Sequence, residues 1–177
     1  MNWLKARIVY YPTLGWNVLL GRILKVRNWW DPIDDVVVIG AMPFRSDVAA
    51  MKQLGITGIV NTCQEFSGPQ DLYQKHAMEQ LRVPTIDFTH PSLENVERAV
   101  AFIEAQAAAG GKVYVHCKAG RARSGTVVVC WLIRSKAMSR QEAQKRLLEQ
   151  RPHANPRIDQ RPVVIEFEKR ELNRKDS

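Results

Sequence analysis

Several features that would place this chain in a specialised class of protein are scarce or missing. Its 177 residues include three cysteines, Cys63, Cys117 and Cys130, which are too few for a disulfide framework and lack the paired spacing of a metal site. We therefore expect an intracellular, reducing compartment, with no metal ion and no other cofactor. The net charge of +8 indicates an anionic partner, and no nucleic-acid motif accompanies it.

Acidic residues are absent from the first 30 positions. This segment carries five cations and four tryptophans, a combination suited to the headgroup region of a membrane. Its uncharged stretch from Ile8 to Gly21 has 14 residues and is broken by a proline and a glycine, so it is shorter than the ~20 residues that span a bilayer. We expect residues 1–30 to contact a membrane peripherally, on an inner or cytoplasmic face. The open alternative is a helix packed on the domain with a basic outer face.

The remaining residues, 31–177, are predicted to form a single α/β domain. Short apolar runs alternate with amphipathic stretches that begin at capping residues. We expect strands at Val36–Ile39, Gly58–Asn61, Leu81–Pro84 and Val113–Val115, and helices that begin at Ser46, Ser92, Arg123, Ser139 and Val163. Alternation of this kind predicts a mostly parallel sheet with helices on both faces.

The most informative segment is ten residues long and lies between two apolar runs. It reads His116-Cys117-Lys118-Ala119-Gly120-Arg121-Ala122-Arg123-Ser124-Gly125. A strand, a tight loop and a helix are expected here, and the loop N–H groups and helix dipole would form an anion-binding concavity. Arg123 offers a planar fork for two phosphate oxygens, and the positive field lowers the pKa of Cys117. The pattern predicts a thiolate that attacks a bound phosphate ester; the alternative is an inert cysteine beside a solvated basic turn.

Attack by a thiolate on a phosphate monoester expels an alkoxide, which needs a proton from a general acid. Asp87 is the candidate, on the loop after the third predicted strand, where a mobile acid reaches a site mouth. Glu65 is a weaker alternative, and a surface or turn-forming role for Asp87 stays open. Ser124 is placed to donate a hydrogen bond to the departing thiolate.

These residues give the chain a family resemblance. It resembles the mitochondrial-type dual-specificity phosphatases that dephosphorylate phosphatidylglycerophosphate, a cardiolipin precursor. The matching stretches are the ten-residue loop, Tyr11 to Leu14, Trp29 to Pro32, Gly40 to Ser46, Leu81 to Thr89 and the Glu166-Phe167 region.

The resemblance implies a fold and a set of roles. The implied fold is the cysteine-dependent phosphatase fold, and in this family the acid lies about thirty residues before the cysteine, as Asp87 does here. Phosphate contacts fall to Arg123 and to the loop residues Lys118, Ala119, Gly120, Arg121 and Ala122, with His116 in support. The chain departs from the family at Gln64-Glu65-Phe66, where Glu-Glu-Tyr is usual, and at Ala122, where a serine is usual.

The resemblance also bears on the substrate. Lys118 and Arg121 would offset a second phosphate, such as the diester of phosphatidylglycerophosphate; the alternative is that both point to solvent. An anionic phospholipid is the expected substrate, a phosphorylated protein is the second candidate, and an inactive phosphate-binding module is the third. Cys63 is either a resolving thiol for Cys117 or a core residue. The sequence leaves the oligomeric state open.

Overall fold

The computed structural model describes residues 10–175, which fold around one five-stranded sheet. Its strands are β1 (Trp30–Pro32), β2 (Val37–Gly40), β3 (Ile56–Cys63), β4 (Glu79–Thr85) and β5 (Lys112–His116). They lie in the order β1-β2-β5-β3-β4, and only the short β1 runs antiparallel to its neighbour. The predicted α/β architecture with a mostly parallel sheet is confirmed.

Helices cover both faces of this sheet. They are α1 (Tyr10–Val18), α2 (Val48–Gln53), α3 (Gln70–Lys75), α4 (Leu93–Ala108), α5 (Arg123–Lys136), α6 (Arg140–Gln150) and α7 (Pro162–Lys175). A π-helical turn, Leu19–Ile23, follows α1, and a 3₁₀ turn, Arg45–Asp47, precedes α2. No helix within residues 10–175 is long and apolar enough to cross a bilayer.

Alternation along the central strands divides the core into two layers. In β5, Val113 and Val115 pack into the larger cluster with α4 to α7, whereas Tyr114 points to the opposite face, into the cluster that contains α2 and α3 residues. Strand periodicity requires this division, because successive side chains point to opposite faces of a sheet. Residues 123–133 of α5 are all buried, which is why the run from Val127 to Ile133 is continuously apolar.

Two of the predicted helix starts are confirmed in detail, and one is wrong. Ser92 accepts a hydrogen bond from the Asn95 N–H (3.2 Å), and Ser139 forms a reciprocal capping box with Glu142. Ser46 does not cap α2. The helix instead follows the 3₁₀ turn, in which the Asp47 carboxylate accepts from the Phe44 N–H (2.8 Å).

The carboxyl ends of β2, β3 and β5 meet at one edge of the sheet, with the loop after β4 beside them. The ten-residue segment singled out in the sequence follows β5 at this edge. Residues 11–29 lie along the same edge. Helix α1 contacts the loop after β5 there through Asn17, whose Nδ2 lies 3.4 Å from the Lys118 carbonyl oxygen. The fold therefore brings the N-terminal segment over the candidate site.

Candidate active site

The loop between β5 and α5 takes its shape from a contact between two glycines. It spans residues 117–122, and α5 begins at Arg123, so the first helical N–H groups point into the loop. Gly120 has a φ of +65°, and a Cβ there would lie 2.5 Å from the carbonyl carbon of Gly40 at the end of β2. Only glycine meets both conditions. The close packing on β2 therefore fixes the direction of the loop.

Cys117 begins this loop and is 4% exposed. Burial alone would raise the pKa of its thiol, but the positive charge of Arg123 and a hydrogen bond from the Ser124 hydroxyl (Oγ to Sγ, 3.3 Å) outweigh burial. The pKa of Cys117 is lowered to about 7 as a result. A large share of this thiol is therefore the nucleophilic thiolate at neutral pH.

Arg123 is held by two neighbouring elements. Its Nη1 and Nη2 atoms donate to the two carboxylate oxygens of Glu65, at 2.9 and 2.7 Å. Nη1 also donates to the Thr85 carbonyl oxygen (2.9 Å), and the residue is 1% exposed. A two-pronged contact of this kind fixes the plane of the guanidinium group. Glu65, considered in the sequence as an alternative acid, thus engages Arg123 with both of its oxygens.

Asp87 reaches the same place from the loop after β4. A tight turn holds that loop, in which Thr89 donates to the Ile86 carbonyl through both its N–H (3.1 Å) and its hydroxyl (2.7 Å). The Asp87 carboxylate lies 3.1 Å from Arg123 Nη2, and it also pairs with Lys118. A cleft of about 310 Å³, named here the catalytic cleft, is lined by Cys117, Arg123 and Asp87. The nucleophile, the phosphate-binding cation and the candidate acid therefore share one cavity.

The two extra cations of the loop have different surroundings. Lys118 is 4% exposed, and its Nζ donates to the Thr13 hydroxyl (2.7 Å) and pairs with Asp87, so it does not point to solvent. Arg121 is exposed, and its Nε donates to the His153 carbonyl oxygen (2.6 Å). Lys118 therefore joins the N-terminal segment to the candidate acid, whereas Arg121 faces outward.

Two further side chains beside the loop, His116 and Cys63, are uncharged at neutral pH because they are buried. Burial lowers the pKa of His116 to about 3, so its ring is neutral at physiological pH. The ring contacts Tyr114 (centroids 5.8 Å apart) and Phe66 (6.0 Å), which indicates packing at the end of β5. Burial also raises the pKa of Cys63, which is fully buried. That environment is typical of the core alternative for Cys63.

Sequence reasoning missed the residue that supports the loop from behind. Arg151, just after α6, is 1% exposed and donates from Nε to the Gly120 carbonyl oxygen (2.6 Å). Its Nη2 lies 3.3 Å from the Ala119 carbonyl oxygen, and its Nη1 pairs with the buried Asp31 of β1. Nothing in the spacing of Asp31 and Arg151, 120 positions apart, indicates this contact. The one local feature of the sequence at Arg151 is the proline that follows it, which indicates the end of a helix and not a contact with the loop.

A second arginine supports the other end of the loop. Arg161 Nη1 donates to the Ala122 carbonyl oxygen (3.1 Å) and to the Thr126 hydroxyl (2.6 Å) in the first turn of α5. Arginine donors thus occupy the carbonyls of Ala119, Gly120 and Ala122, and backbone N–H groups occupy those of Lys118 and Arg121. With the carbonyls engaged elsewhere, the loop N–H groups are left for an anion in the cleft. The arrangement is suited to binding a tetrahedral anion next to a thiolate.

Comparisons with known proteins agree with this chemistry. A family model described as dual specificity phosphatase, catalytic domain, matches residues 37–170. Phosphatidylglycerophosphate phosphatase PTPMT2 of Arabidopsis thaliana is 42% identical over 165 residues, which is 92% of this chain and 72% of the relative. Phosphatidylglycerophosphatase and protein-tyrosine phosphatase 1 of Mus musculus is 35% identical over 179 residues, covering 94% of this chain and 93% of the relative.

Solved structures show the same likeness. The crystal structure of PTPMT1 in complex with PI(5)P superposes with a TM-score of 0.77 and 31% sequence identity. That superposition covers 84% of this chain and 99% of the solved chain.

Proposed function

The chain belongs to the dual-specificity phosphatase family, and on that premise we propose that it hydrolyses the phosphomonoester of phosphatidylglycerophosphate, giving phosphatidylglycerol and inorganic phosphate. The observation that carries the proposal is the setting of the catalytic cleft, where Cys117, Arg123 and Asp87 meet two exposed apolar side chains, Trp16 and Phe88. Curated relatives that are named for this lipid add support.

The first half of the reaction forms a phosphocysteine. The Cys117 thiolate attacks phosphorus, and an S–P bond forms while the P–O bond to the glycerol carbon chain breaks. Asp87 gives its proton to the departing oxygen, which leaves as an alcohol. Arg123, oriented by Glu65 and by the Thr85 carbonyl, balances the charge on the transferred phosphoryl oxygens.

The second half returns the enzyme to its starting state. Asp87, now a carboxylate, takes a proton from a water molecule, whose oxygen attacks the phosphorus. The S–P bond breaks, and Cys117 leaves as a thiolate that accepts the Ser124 hydrogen bond. Inorganic phosphate departs, and Asp87 holds its proton for the next cycle.

We further propose that the enzyme works while bound to the surface of a membrane that borders a reducing compartment. Support comes from the apolar rim, defined as the exposed side chains of Tyr11, Trp16, Ile23, Leu24, Val26 and Phe88. Of nine large hydrophobic side chains exposed in the described part of the chain, these six lie in the N-terminal segment or the loop of the candidate acid. Trp16 and Phe88 line the catalytic cleft itself. Clustered exposed apolar groups are typical of a membrane or protein contact.

The cations of the N-terminal segment do not contribute equally to this surface. Arg22 pairs with Asp47 and stacks on Trp29, 4.3 Å from its ring centroid, so it fastens the segment to the domain. Lys5 and Arg7 lie outside the described residues. Lys25 is exposed beside the apolar rim. A charge reversal that tests membrane binding should therefore leave Arg22 unchanged.

The membrane proposal is tested by making the same double substitution at two places on the surface. Ile23→Ser/Leu24→Ser removes two side chains of the apolar rim, and Ile165→Ser/Leu172→Ser removes two exposed side chains of α7 as a matched control. We expect at least about 30-fold weaker sedimentation of the first variant with vesicles of phosphatidylglycerol and phosphatidylcholine, because two side chains that each contribute roughly 1–2 kcal/mol on leaving water together lose at least about 2 kcal/mol. Equal binding by both variants would contradict a membrane role for the rim.

The substrate is tested by comparing kcat/KM on phosphatidylglycerophosphate in vesicles, on other phospholipid monoesters and on phosphotyrosyl and phosphoseryl peptides. We expect the phosphatidylglycerophosphate value to exceed the peptide values by at least about a hundredfold, a gap of ~3 kcal/mol. A higher value on the peptides would replace the lipid proposal with a protein phosphatase.

A further inference from the structure

A second cavity adjoins the catalytic cleft. It has a volume of about 640 Å³, and Arg27 and Arg121 line both cavities, so these two residues stand at the boundary. Lys25 also lines the second cavity, and Arg121 Nε donates to the carbonyl oxygen of His153, another lining residue. Three cations thus line an open space that adjoins the cleft of the nucleophile.

No carboxylate in the cavity pairs with these three cations. Lys25, Arg27 and Arg121 form no ion pair with any residue that the structure describes. The one carboxylate that lines the space, Asp31, is already engaged by Arg151 and by the Asn28 amide (2.7 Å). Uncompensated cations around a concave surface create a strong positive potential.

His153 adds no charge to this cavity. Its pKa is lowered to about 4, first by burial and then by the nearby charges of Arg151 and Arg27. The imidazole is therefore neutral in the working range of pH and adds no charge of its own. The positive character of the cavity comes from the permanently charged side chains.

The cavity wall contributed by the N-terminal segment is anchored. Trp29, two residues after Arg27, is 6% exposed, stacks on Phe44 with centroids 5.4 Å apart and donates from Nε1 to the Met42 carbonyl oxygen (3.2 Å). At the other end Lys25 takes a left-handed backbone conformation, with a φ of 52°. The chain therefore turns sharply at Lys25 and is fixed at Trp29, which keeps Arg27 between the two cavities.

We propose that this cavity is a subsite for the second phosphate of the substrate, a phosphodiester joined through a short carbon linker to the phosphomonoester in the catalytic cleft. This inference rests on the proposed function and deepens it. Arg27 and Arg121 hold the diester oxygens, and Lys25 adds charge from the side. Lys118, paired with Asp87 and Thr13, serves the acid instead.

The test uses two water-soluble substrates with the same kind of leaving group, so that no membrane is involved. Deacylated phosphatidylglycerophosphate carries the diester and the monoester, whereas glycerol 3-phosphate carries the monoester alone. The quantity compared is the ratio of their kcat/KM values. We expect Lys25→Gln/Arg27→Gln to lower this ratio by roughly 10- to 100-fold, the usual effect of losing a charge-assisted hydrogen bond.

A matched control removes two cations from elsewhere on the surface. Lys52→Gln/Lys145→Gln makes the same change in net charge at exposed positions that do not line the cavity, and should keep the wild-type ratio. Arg27→Lys, which keeps a charge but loses the fork, should fall between wild type and the double variant.

Three outcomes are distinguishable. A selective fall of the ratio in the cavity variant supports the subsite. An unchanged ratio in that variant, or an equal fall in the control, overturns the subsite. The proposed function is unaffected by that result if the wild type hydrolyses the lipid. If the wild type hydrolyses neither the lipid nor its deacylated headgroup, the proposed function fails and the subsite fails with it.

Discussion

Replacement of Arg151 by glutamine is the change that most directly tests how the catalytic loop is held. The side chain is buried and joins β1 to the loop by pairing with Asp31 and donating to the Gly120 carbonyl oxygen (2.6 Å). Arg151→Gln leaves the Asp31 carboxylate buried without its cation. Loss of one partner of a buried ion pair costs about 3–5 kcal/mol.

That cost is a large part of the stability of a domain, which is roughly 5–15 kcal/mol. At about 2–4 °C per kcal/mol for a domain of this size, Tm should fall by roughly 6–20 °C. The double variant Asp31→Asn/Arg151→Gln should recover part of this loss, because the uncompensated charge is then gone. Thermal unfolding followed by circular dichroism measures all three proteins.

The same substitution should also slow catalysis at temperatures where the variant is folded. Without Arg151 the Gly120 and Ala119 carbonyls lose a donor, and the loop N–H groups relax from their inward orientation. A displacement of ~1 Å at a reacting centre can cost about 10²-fold, so kcat/KM on an aryl phosphate should fall by that order.

Arg134→Gln supplies a matched control for a purely structural effect. Arg134 pairs with Glu171 (2.6 Å) and stacks on Phe167, with no contact to the loop among its described partners. It should lower Tm and leave kcat/KM near the wild-type value. The reasoning about Arg151 is refuted if Arg151→Gln keeps kcat/KM within about twofold of wild type, or if its Tm falls by less than about 2 °C.

Three further predictions concern the reacting groups. Cys117→Ser should abolish turnover while retaining phosphate binding, and Arg123→Lys should be nearly as damaging to kcat, since a point charge cannot make the two-pronged contact; substantial hydrolysis by either variant would contradict the covalent mechanism or the role of Arg123. Asp87→Asn should slow turnover of alkyl phosphates by roughly 10²–10⁴ but that of nitrophenyl phosphate far less, because nitrophenolate hardly needs a proton; equal losses on both substrates would indicate a structural role. Because the pKa of Cys117 is about 7, kcat/KM should fall as the pH drops through that value and the thiolate is protonated. Ser124→Ala removes a donor to the thiolate, so it should raise the pH at which Cys117 becomes reactive towards iodoacetamide. An unchanged alkylation profile would contradict the role of Ser124.

The sequence predicted the site best where the functional residues are neighbours in the chain. The loop from Cys117 to Ser124 is continuous, and its cysteine, glycine and arginine identify both its conformation and its chemistry. Strands were predictable because their apolar runs are short and bounded by glycine or proline, although each observed strand extends beyond the prediction at one or both ends. Pro84 lies within β4, which forms an edge of the sheet, where a residue without an N–H is tolerated.

Contacts between distant segments were not predictable in this way. The Glu65 contact with Arg123 joins residues 58 positions apart, and no periodicity records it. The antiparallel β1 was missed because three residues give no alternation to detect, and α3 was missed for a similar reason. Lys118 was expected at the rim or in solvent, whereas the arrival of Thr13 from the N-terminal segment buries it.

The position of the N-terminal segment over the catalytic loop has a practical consequence for protein engineering. The family match begins at residue 37, and a shortened protein that starts there would retain the nucleophile, the arginine and the acid. It would lack Thr13, which accepts a hydrogen bond from Lys118, and Asp31, which pairs with Arg151. Two buried cations of the site would therefore each lose a partner. Kinetic constants measured on such a trimmed protein would describe an altered site, so a shortened protein should retain residues 10–36.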